Sequence, residues 1–168
     1  MDVAVAQRRD EEFLLDLLNT TPVVDGQERD VLADPDEGRA WLRAHEVDET
    51  ERANLTAVRD LLQDVVRGAR SPALLDRFLG DVTMRPTVTP HGVGWELSAT
   101  PAARAVLAWD ALRINSPGRL RACANDECRL FLIDRSKPNT ARWCSMAICG
   151  NRMKARRYYR RAKGADGE

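Results

Sequence analysis

Cysteine is absent from the first 122 residues of this chain of 168. Long apolar stretches are absent as well, since no run approaches the roughly 20 residues needed to span a bilayer. The N-terminus shows no progression from basic to apolar to small residues, so we expect no secretory signal peptide. These absences disfavour a disulfide-rich secreted protein and an integral membrane protein, and we expect a cytoplasmic protein with reduced cysteines.

Histidine is also scarce, because His45 and His91 are the only two in the chain. No Ser-His-Asp order and no glycine-rich phosphate loop accompany them, so we expect that the protein is not an enzyme. Asp16 and Asn19 lie near an apolar helical stretch, where they can line a pocket or form local hydrogen bonds. Local hydrogen bonding is the simpler interpretation.

Lysine is missing from residues 1–118, which contain 13 arginines against 21 acidic residues and have a net charge of −8. Residues 119–168 contain 13 basic residues against 5 acidic ones, a net charge of +8. The total charge of zero therefore hides a division between an acidic part and a basic part. Such an asymmetry indicates a basic module for a polyanion, attached to an acidic body.

All four cysteines fall in the basic part. Cys123 and Cys128 enclose four residues, Cys144 and Cys149 enclose four more, and 15 residues separate the two pairs. A tetrahedral zinc site requires two such tight turns, which bring four sulfurs together. Buried or disulfide-paired cysteines are the alternative, but the symmetric spacing favours one structural Zn2+ ion. Four sulfur ligands leave no open position for an activated water, so such a metal is not catalytic.

The sequence around these cysteines resembles a known signature. The run RWCSMAICGNRMK, Arg142 to Lys154, resembles that of the bacterial CGNR zinc-finger family, and the segments CANDEC and FLIDRS, which begin at Cys123 and Phe131, fit the same pattern. The stretch FLLDLLNT from Phe13 is similar to the opening of that family's N-terminal domain. The resemblance implies a mostly helical N-terminal domain, a zinc finger, and a role as a DNA-binding transcription regulator.

Residues 1–117, called the body below, are predicted to be mainly helical. Apolar periodicity and capping signals predict helices over residues 9–19, 35–45, 49–69, 72–79 and 102–114. Asp34, Asp48 and Thr100 are the predicted N-caps, and Glu37 is predicted to complete a capping box. β-branched residues predict a hairpin over residues 82–89 and 93–97, in which Pro86 limits the first strand to a sheet edge.

Residues 118–163, called the finger below, follow a break at residues 115–118, and residues 164–168 are predicted to form a disordered tail. Strands are predicted at 120–122 and 130–133, and the second cysteine pair opens the last helix. A hairpin and a helix that each donate two ligands resemble a treble-clef zinc module. The predicted fold class is thus mainly α with small β-hairpins, ending in a treble-clef-like finger with a long basic helix. Phe131 and Trp143 are expected to form the small core of the finger.

The last helix is predicted to bind nucleic acid. A narrow apolar face is expected to pack, formed by Ile148, Ala155, Tyr159 and Ala162. Seven cations on the rest of the helix are predicted to contact phosphates or guanine edges: Arg152, Lys154, Arg156, Arg157, Arg160, Arg161 and Lys163. A solvated basic tail that balances the acidic body is the alternative.

Gly150 and Asn151 directly follow the last cysteine and are predicted to support the metal site. Gly150 can let the backbone pass close to the metal or turn into the helix. Asn151 can donate to a ligand sulfur or cap the helix. Arg152 can contact phosphate or pair with Asp134.

Two functional hypotheses result. The first is a zinc-dependent DNA-binding regulator whose acidic body forms a homodimer or senses a small-molecule effector. The second is an interaction module whose finger binds an acidic protein partner. RNA is a further possible ligand of the finger, although no RNA-specific aromatic pattern is present.

Overall fold

The computed structural model describes the backbone of residues 8–165 and the side chains of residues 8–160. Within these ranges the chain is mainly helical, with three separate two-stranded antiparallel sheets. The predicted class of a mainly α protein with small hairpins is therefore confirmed. The predicted division at residues 117 and 118 and the predicted tail at 164–168 stay predictions, and residues 166–168 lie outside the described range.

The described elements follow one another along the chain as α1 (Arg8–Leu18), β1 (Val23–Val24), β2 (Gln27–Glu28), α2 (Pro35–Ala44), α3 (Arg52–Val66), β3 (Thr83–Thr89), β4 (Gly92–Ser98), α4 (Pro101–Asn115), β5 (Leu120–Ala122), β6 (Phe131–Ile133) and α5 (Asn151–Ala165). Shorter helical segments are the 3-10 helices Glu49–Glu51 and Pro72–Phe78 and the π-helical turn Met146–Gly150. None of the described helices is both long and apolar enough to cross a membrane.

The predicted N-caps are confirmed, because a short polar side chain accepts the free N–H groups at each start. The Asp34 carboxylate accepts from the N–H groups of Asp36 and Glu37, each at 2.9 Å. Asp48 caps the 3-10 segment before α3 in the same way, and Thr100 caps α4. The starts of three predicted helical segments are therefore set by a side chain that caps the first N–H groups.

The capping box predicted at Asp34 does not form. The carboxylate of Glu37 pairs with Arg29 and so does not return to the backbone of Asp34. The N–H of Asp34 donates instead to the carbonyl of Asp30 at 3.2 Å. The carbonyl of Asp30 thus takes the place of the Glu37 carboxylate as the acceptor for the N–H of Asp34.

The structure differs from the predicted elements at three further places. α3 ends at Val66, earlier than predicted, because Gly68 adopts a left-handed φ of 76°. The predicted helix over 72–79 is present as the 3-10 helix Pro72–Phe78. β1 and β2 were not predicted as strands, and they meet at a turn in which Asp25 and Gly26 have φ values of 51° and 78°. An Asp-Gly pair is a recognised signal for such a hairpin turn.

The core of the body lies between α1, α3 and α4. Leu14, Leu17 and Leu18 of α1 are fully buried. They belong to one cluster with apolar side chains of the other two helices, among them Leu55, Val58, Leu62, Ala102, Ala105, Val106 and Leu112. The spacing of three and four residues between these side chains produces the apolar stripes that the sequence predicts.

β6 completes this core and joins the finger to the body. Phe131 is 1% exposed, so it is a core side chain as predicted, but it belongs to the hydrophobic cluster of the body and not to a small core of the finger. Its N–H donates to Oδ1 of Asn19 at 2.7 Å, and its carbonyl accepts from Nδ2 of Asn19 at 3.3 Å. The Asn19 amide thus pairs with β6 as a neighbouring strand would, in place of the local bonding expected of it.

A buried ion pair fastens the loop after β2 to α3. Arg59 is 2% exposed, and two of its guanidinium nitrogens donate to the carboxylate of Asp30 at 2.6 and 2.8 Å. Its third donor group, Nε, reaches Asp60 at 2.9 Å. Burial raises the pKa of Asp30, but the hydrogen bonds and the charge of Arg59 outweigh this effect and hold that pKa below its ordinary value of 3.8.

Candidate metal centre and the basic helix

The four cysteine side chains meet at one point of the finger. The Sγ atoms of Cys123, Cys128, Cys144 and Cys149 all lie within 4.8 Å of one another. The Sγ of Cys144 is 3.7 Å from that of Cys128 and 3.6 Å from that of Cys149. A tetrahedron of sulfurs at about 2.3 Å from a zinc ion has edges of about 3.8 Å. The cluster therefore has the size and the donor set of a four-cysteine zinc site.

Backbone hydrogen bonds fold each cysteine pair into a turn. The N–H of Cys128 donates to the carbonyl of Asn125 at 2.9 Å, which closes the first knuckle, residues 123–128, directly after β5. In the second pair the N–H of Gly150 donates to the carbonyl of Ser145 at 3.0 Å. The donor follows the acceptor by five residues, which is the hydrogen-bond pattern of a π-helical turn. This turn returns Cys149 toward the other sulfurs immediately before α5 begins.

Hydrogen bonds from N–H groups reach the ligand sulfurs. The backbone N–H of Cys144 lies 3.4 Å from Sγ of Cys123, and Nδ2 of Asn125 lies 3.5 Å from Sγ of Cys149. The Asn125 side chain is buried, so the protein fixes this amide in place. Such hydrogen bonds stabilise the negative charge of a thiolate and orient the metal ligand.

Asn125 fills one of the two roles considered for Asn151. The amide of Asn151 is exposed and donates to the carbonyl of Ala147 at 3.3 Å. Gly150 is buried, and a Cβ atom there would lie 2.7 Å from Sδ of Met146. Sequence reasoning missed Asn125, although its position between the two ligands of the first knuckle is a signal that identifies it.

The thiols must lose their protons when a metal binds. Burial raises the pKa of Cys128 to about 11 and raises that of Cys144 as well. Burial acts in the same direction on Cys149, but hydrogen bonds from Asn125 and the neighbouring thiols outweigh it and lower that pKa. Zinc binding here releases protons and therefore strengthens as the pH rises. The cluster can hold one zinc ion, which confirms the predicted structural Zn2+.

A second network fixes the loop that leads to the second cysteine pair. The buried carboxylate of Asp134 accepts from the hydroxyl of Ser136 at 2.6 Å and from the N–H of Ala141 at 2.7 Å. The hydrogen bond from the Ser136 hydroxyl contributes most to holding the pKa of Asp134 below its ordinary value. Arg121 lies 3.3 Å from the same carboxylate, so Asp134 pairs with Arg121 and not with Arg152.

The cations of α5 form two groups. Arg156 pairs with Glu127 of the first knuckle and lies 3.5 Å from Asp126, and Arg152 lies 4.0 Å from Glu127. The remaining cations whose side chains are described are exposed, namely Lys154, Arg157 and Arg160. The side chains of the other two predicted contacts, Arg161 and Lys163, lie outside the described residues.

The apolar face predicted for α5 is exposed in the described part of the chain. Its members with described side chains are all exposed: Ile148, Ala155 and Tyr159. Met153 and Arg156 are half-buried instead and face the first knuckle. The ion pair between Arg156 and Glu127 favours this rotation of the helix. The sequence does not reveal it, because the two residues are 29 positions apart.

A concavity of about 340 Å³ lies in the body, beside α1, the end of α2 and the start of α4. Phe13, Asp16 and His45 contribute to its lining. The His45 ring lies 5.4 Å from that of Phe13 and 4.1 Å from that of Trp41, between ring centres. Burial lowers the pKa of His45 more than the nearby Asp16 carboxylate raises it, so the ring is neutral at pH 7. Asp16 thus borders a cavity, which was the less favoured of its two interpretations, whereas Asn19 does not line this cavity.

No curated protein matches the sequence. Residues 119–162 match the family model for the CGNR zinc finger, which confirms the resemblance, and this range contains the whole cysteine cluster. Residues 11–116, most of the chain, match the model of the ABATE family, described as "Putative stress-induced transcription regulator". The ABATE match covers more than half of the chain, so the chain belongs to the ABATE family, and a CGNR zinc finger follows the ABATE region.

Proposed function

We propose that this chain is a zinc-dependent DNA-binding protein and a transcriptional regulator, not an enzyme. In this proposal α5 contacts phosphates and a groove of the duplex. The observation that supports it best is the position of α5, which begins two residues after Cys149, a ligand of the candidate zinc site. The description of the ABATE family as transcription regulators supports it further. The proposed compartment is the cytoplasm, since four thiolate ligands require reducing conditions.

The two groups of cations on α5 have different roles in this proposal. Arg152 and Arg156 hold the helix against Glu127 of the first knuckle. The exposed side chains of Lys154, Arg157 and Arg160 neutralise phosphates. The zinc site fixes the direction of the helix, in a treble-clef-like arrangement in which the loop of the hairpin β5–β6 and the segment that leads into α5 each donate two ligands.

Salt dependence of binding tests the proposal. Zinc-loaded full-length protein is titrated with labelled duplex DNA at several salt concentrations, and fluorescence anisotropy gives the affinity. Three neutralised phosphates predict a slope of log affinity against log salt of about −2.7, or about −0.9 per contact. A flat response from low to physiological salt would contradict phosphate contacts.

A matched pair of variants assigns the effect to α5. Replacing Arg157 and Arg160 by glutamine is expected to reduce the salt slope by about 1.8. Replacing Arg70 and Arg85 by glutamine changes the net charge equally, at exposed positions of the acidic body. An equal loss of affinity in both variants would mean that total charge, and not α5, controls binding.

A second candidate function is binding of an acidic protein or of RNA. It is favoured by Tyr158 and Tyr159, whose exposed rings lie among the arginines of α5, because tyrosine and arginine together are enriched at protein interfaces. A pulldown with and without nuclease separates a protein partner from a nucleic acid. Competition between duplex DNA and single-stranded RNA separates the two nucleic acids.

The body has a proposed regulatory role. It forms a homodimer, or it binds a small-molecule effector in the concavity beside His45. Because the lining contains both carboxylate and guanidinium groups, an effector with charges of both signs suits it.

A further inference from the structure

The hairpin of β3 and β4 has one entirely apolar face. The register pairs Met84 with Leu97, Pro86 with Trp95, and Val88 with Val93. Alternate residues of a strand point to the same face, so these six side chains share one side of the hairpin. The opposite face is mainly polar and consists of Thr83, Arg85, Thr87, Thr89, Gly92, Gly94, Glu96 and Ser98.

Water reaches this apolar face in the described part of the chain. Val88 is 90% exposed, Val93 is 65% exposed and Trp95 is 54% exposed. Met84, Pro86 and Leu97 are also exposed. One apolar and one polar face are typical of a sheet whose apolar face packs against other apolar side chains. A two-stranded hairpin without such packing is only marginally stable.

We infer that a second copy of this chain covers the face, in a two-fold dimer whose hairpins pack against each other through these six side chains. This inference does not depend on DNA binding. It rests on the homodimer alternative of the proposed function and names the surface that forms this dimer.

The area of the face is sufficient for such a dimer. From their exposed fractions, the six residues expose on the order of 500 Å² per copy, so complete coverage would bury about 1,000 Å² in the dimer, the size at which specific interfaces begin. Contacts of neighbouring loops add to this area. A single patch of that size is also at the upper end of what monomeric proteins expose.

The chemistry of the face favours a second copy over a different partner. None of its six side chains carries a charge, so nothing on it selects a basic or an acidic partner. Each cross-strand pair is apolar on both strands, so a two-fold rotation brings apolar groups onto apolar groups.

Packing of the two faces is also favoured over pairing of strand edges. Pro86 has no N–H to donate, which disfavours a further strand along β3. Pairing along β4 would leave the apolar face in water. Face-to-face packing is the arrangement that removes these side chains from solvent.

The oligomeric state of full-length, zinc-loaded protein tests the inference. Sedimentation velocity over a wide concentration range is expected to give twice the chain mass of 18.8 kDa. Val88→Lys places a charge on the apolar face and is expected to weaken association at least about tenfold. Thr83→Lys places the same charge on the polar face and is expected to leave the dimer intact. A wild-type mass of one chain at every concentration would overturn the inference, as would equal association of both variants.

Two further measurements keep the test decisive. Zinc content and far-UV circular dichroism show whether Val88→Lys is folded. Hydrogen exchange of the wild type provides an independent readout, because the amides of β3 and β4 should exchange more slowly as concentration rises. Exchange that does not depend on concentration would contradict the dimer. The monomeric variant should keep the salt slope of DNA binding per chain, so failure of DNA binding and failure of dimerisation are distinguishable.

Discussion

At the scale of single residues, Arg59 is a charged side chain held almost entirely out of water. Its partner Asp30 keeps 32% of its side chain exposed. Asp30→Ala leaves the guanidinium with Asp60 as its remaining carboxylate, and we expect a loss of about 2 kcal/mol in the free energy of unfolding. This lies below the range for fully buried pairs because Asp30 is partly hydrated. Urea denaturation measures the loss.

A surface pair provides the control for this prediction. Asp110→Ala removes an exposed carboxylate that pairs with Arg113 at 2.6 Å on the same helix, and it should cost no more than about 0.5 kcal/mol. Equal losses in the two variants would show that the Arg59 pair contributes no more than a surface contact.

The same pair predicts a dependence of stability on pH. The pKa of Asp30 in the folded protein is lower than its ordinary 3.8, so its contribution is fully present above that value. The contribution is lost as the pH falls through the lowered pKa. The stability difference between wild type and Asp30→Ala should therefore be constant near neutral pH and shrink below a pH of about 4. Urea denaturation of both proteins over a pH series measures it, and parallel curves would contradict the assignment.

Asn125 supports a further prediction at this scale. Removal of the amide that donates to Cys149 should weaken zinc binding by about 10- to 100-fold, as for other partners of metal ligands. Competition of Asn125→Ala with a chromophoric chelator measures the change. Asn151→Ala is the matched control and should leave the affinity nearly unchanged, since that exposed amide contacts Ala147. Equal effects would place the supporting amide at Asn151.

The metal ligands could be predicted from the sequence, whereas the buried ion pair of Arg59 could not. The four cysteines were predictable, because the spacing of ligands within a turn is a local property of the chain. Arg59 was not identified, although it follows Leu55 by four positions on the apolar stripe of α3. A charged residue in such a stripe indicates a buried partner, but the sequence does not say which carboxylate supplies it.

At the scale of elements, helix starts were more predictable than helix faces. The caps at Asp34 and Thr100 depend on side chains within three residues, so the sequence contains the whole interaction. The orientation of α5 depends on contacts between Arg156 and the first knuckle. Contacts of that range leave no periodic signal, and the predicted apolar face is exposed for this reason.

The contact between α5 and the first knuckle leads to a prediction that depends on the proposed DNA binding. Glu127→Gln removes the carboxylate that Arg152 and Arg156 share, although Arg156 keeps Asp126 at 3.5 Å. Each freed cation that reaches a phosphate should steepen the salt slope by about 0.9 and raise the affinity at low salt. Anisotropy titrations measure both quantities.

An acid elsewhere on the surface controls for total charge. Glu96→Gln, on the polar face of the hairpin, removes the same charge far along the chain from the finger. If both variants gained equally in affinity, the knuckle would have no specific influence on the arginines of α5.

At the scale of the whole molecule, loss of zinc should affect the body as well as the finger. Phe131 lies in the core of the body and is hydrogen-bonded to Asn19. Its strand, β6, pairs with β5, and the first knuckle with Cys123 and Cys128 connects the two strands. Chelation at neutral pH is therefore expected to lower the unfolding midpoint and to speed hydrogen exchange at the buried leucines of α1. Hydrogen exchange with and without chelator measures the change.

A variant that removes the link provides the control. Asn19→Ala takes away both hydrogen bonds to β6 and should make α1 less sensitive to chelation. Two independent unfolding transitions in the wild type, with only one affected by chelator, would contradict the coupling.

The burial of Phe131 also limits how this chain can be divided. The change of charge near residue 118 suggests two separable pieces, yet a phenyl ring from one piece fills the interior of the other. A fragment that stops at residue 117 would contain a hole of aromatic size and would expose leucines to water, so it should aggregate when expressed alone. Evolutionary exchange of the finger for another would require a replacement that supplies an equivalent ring.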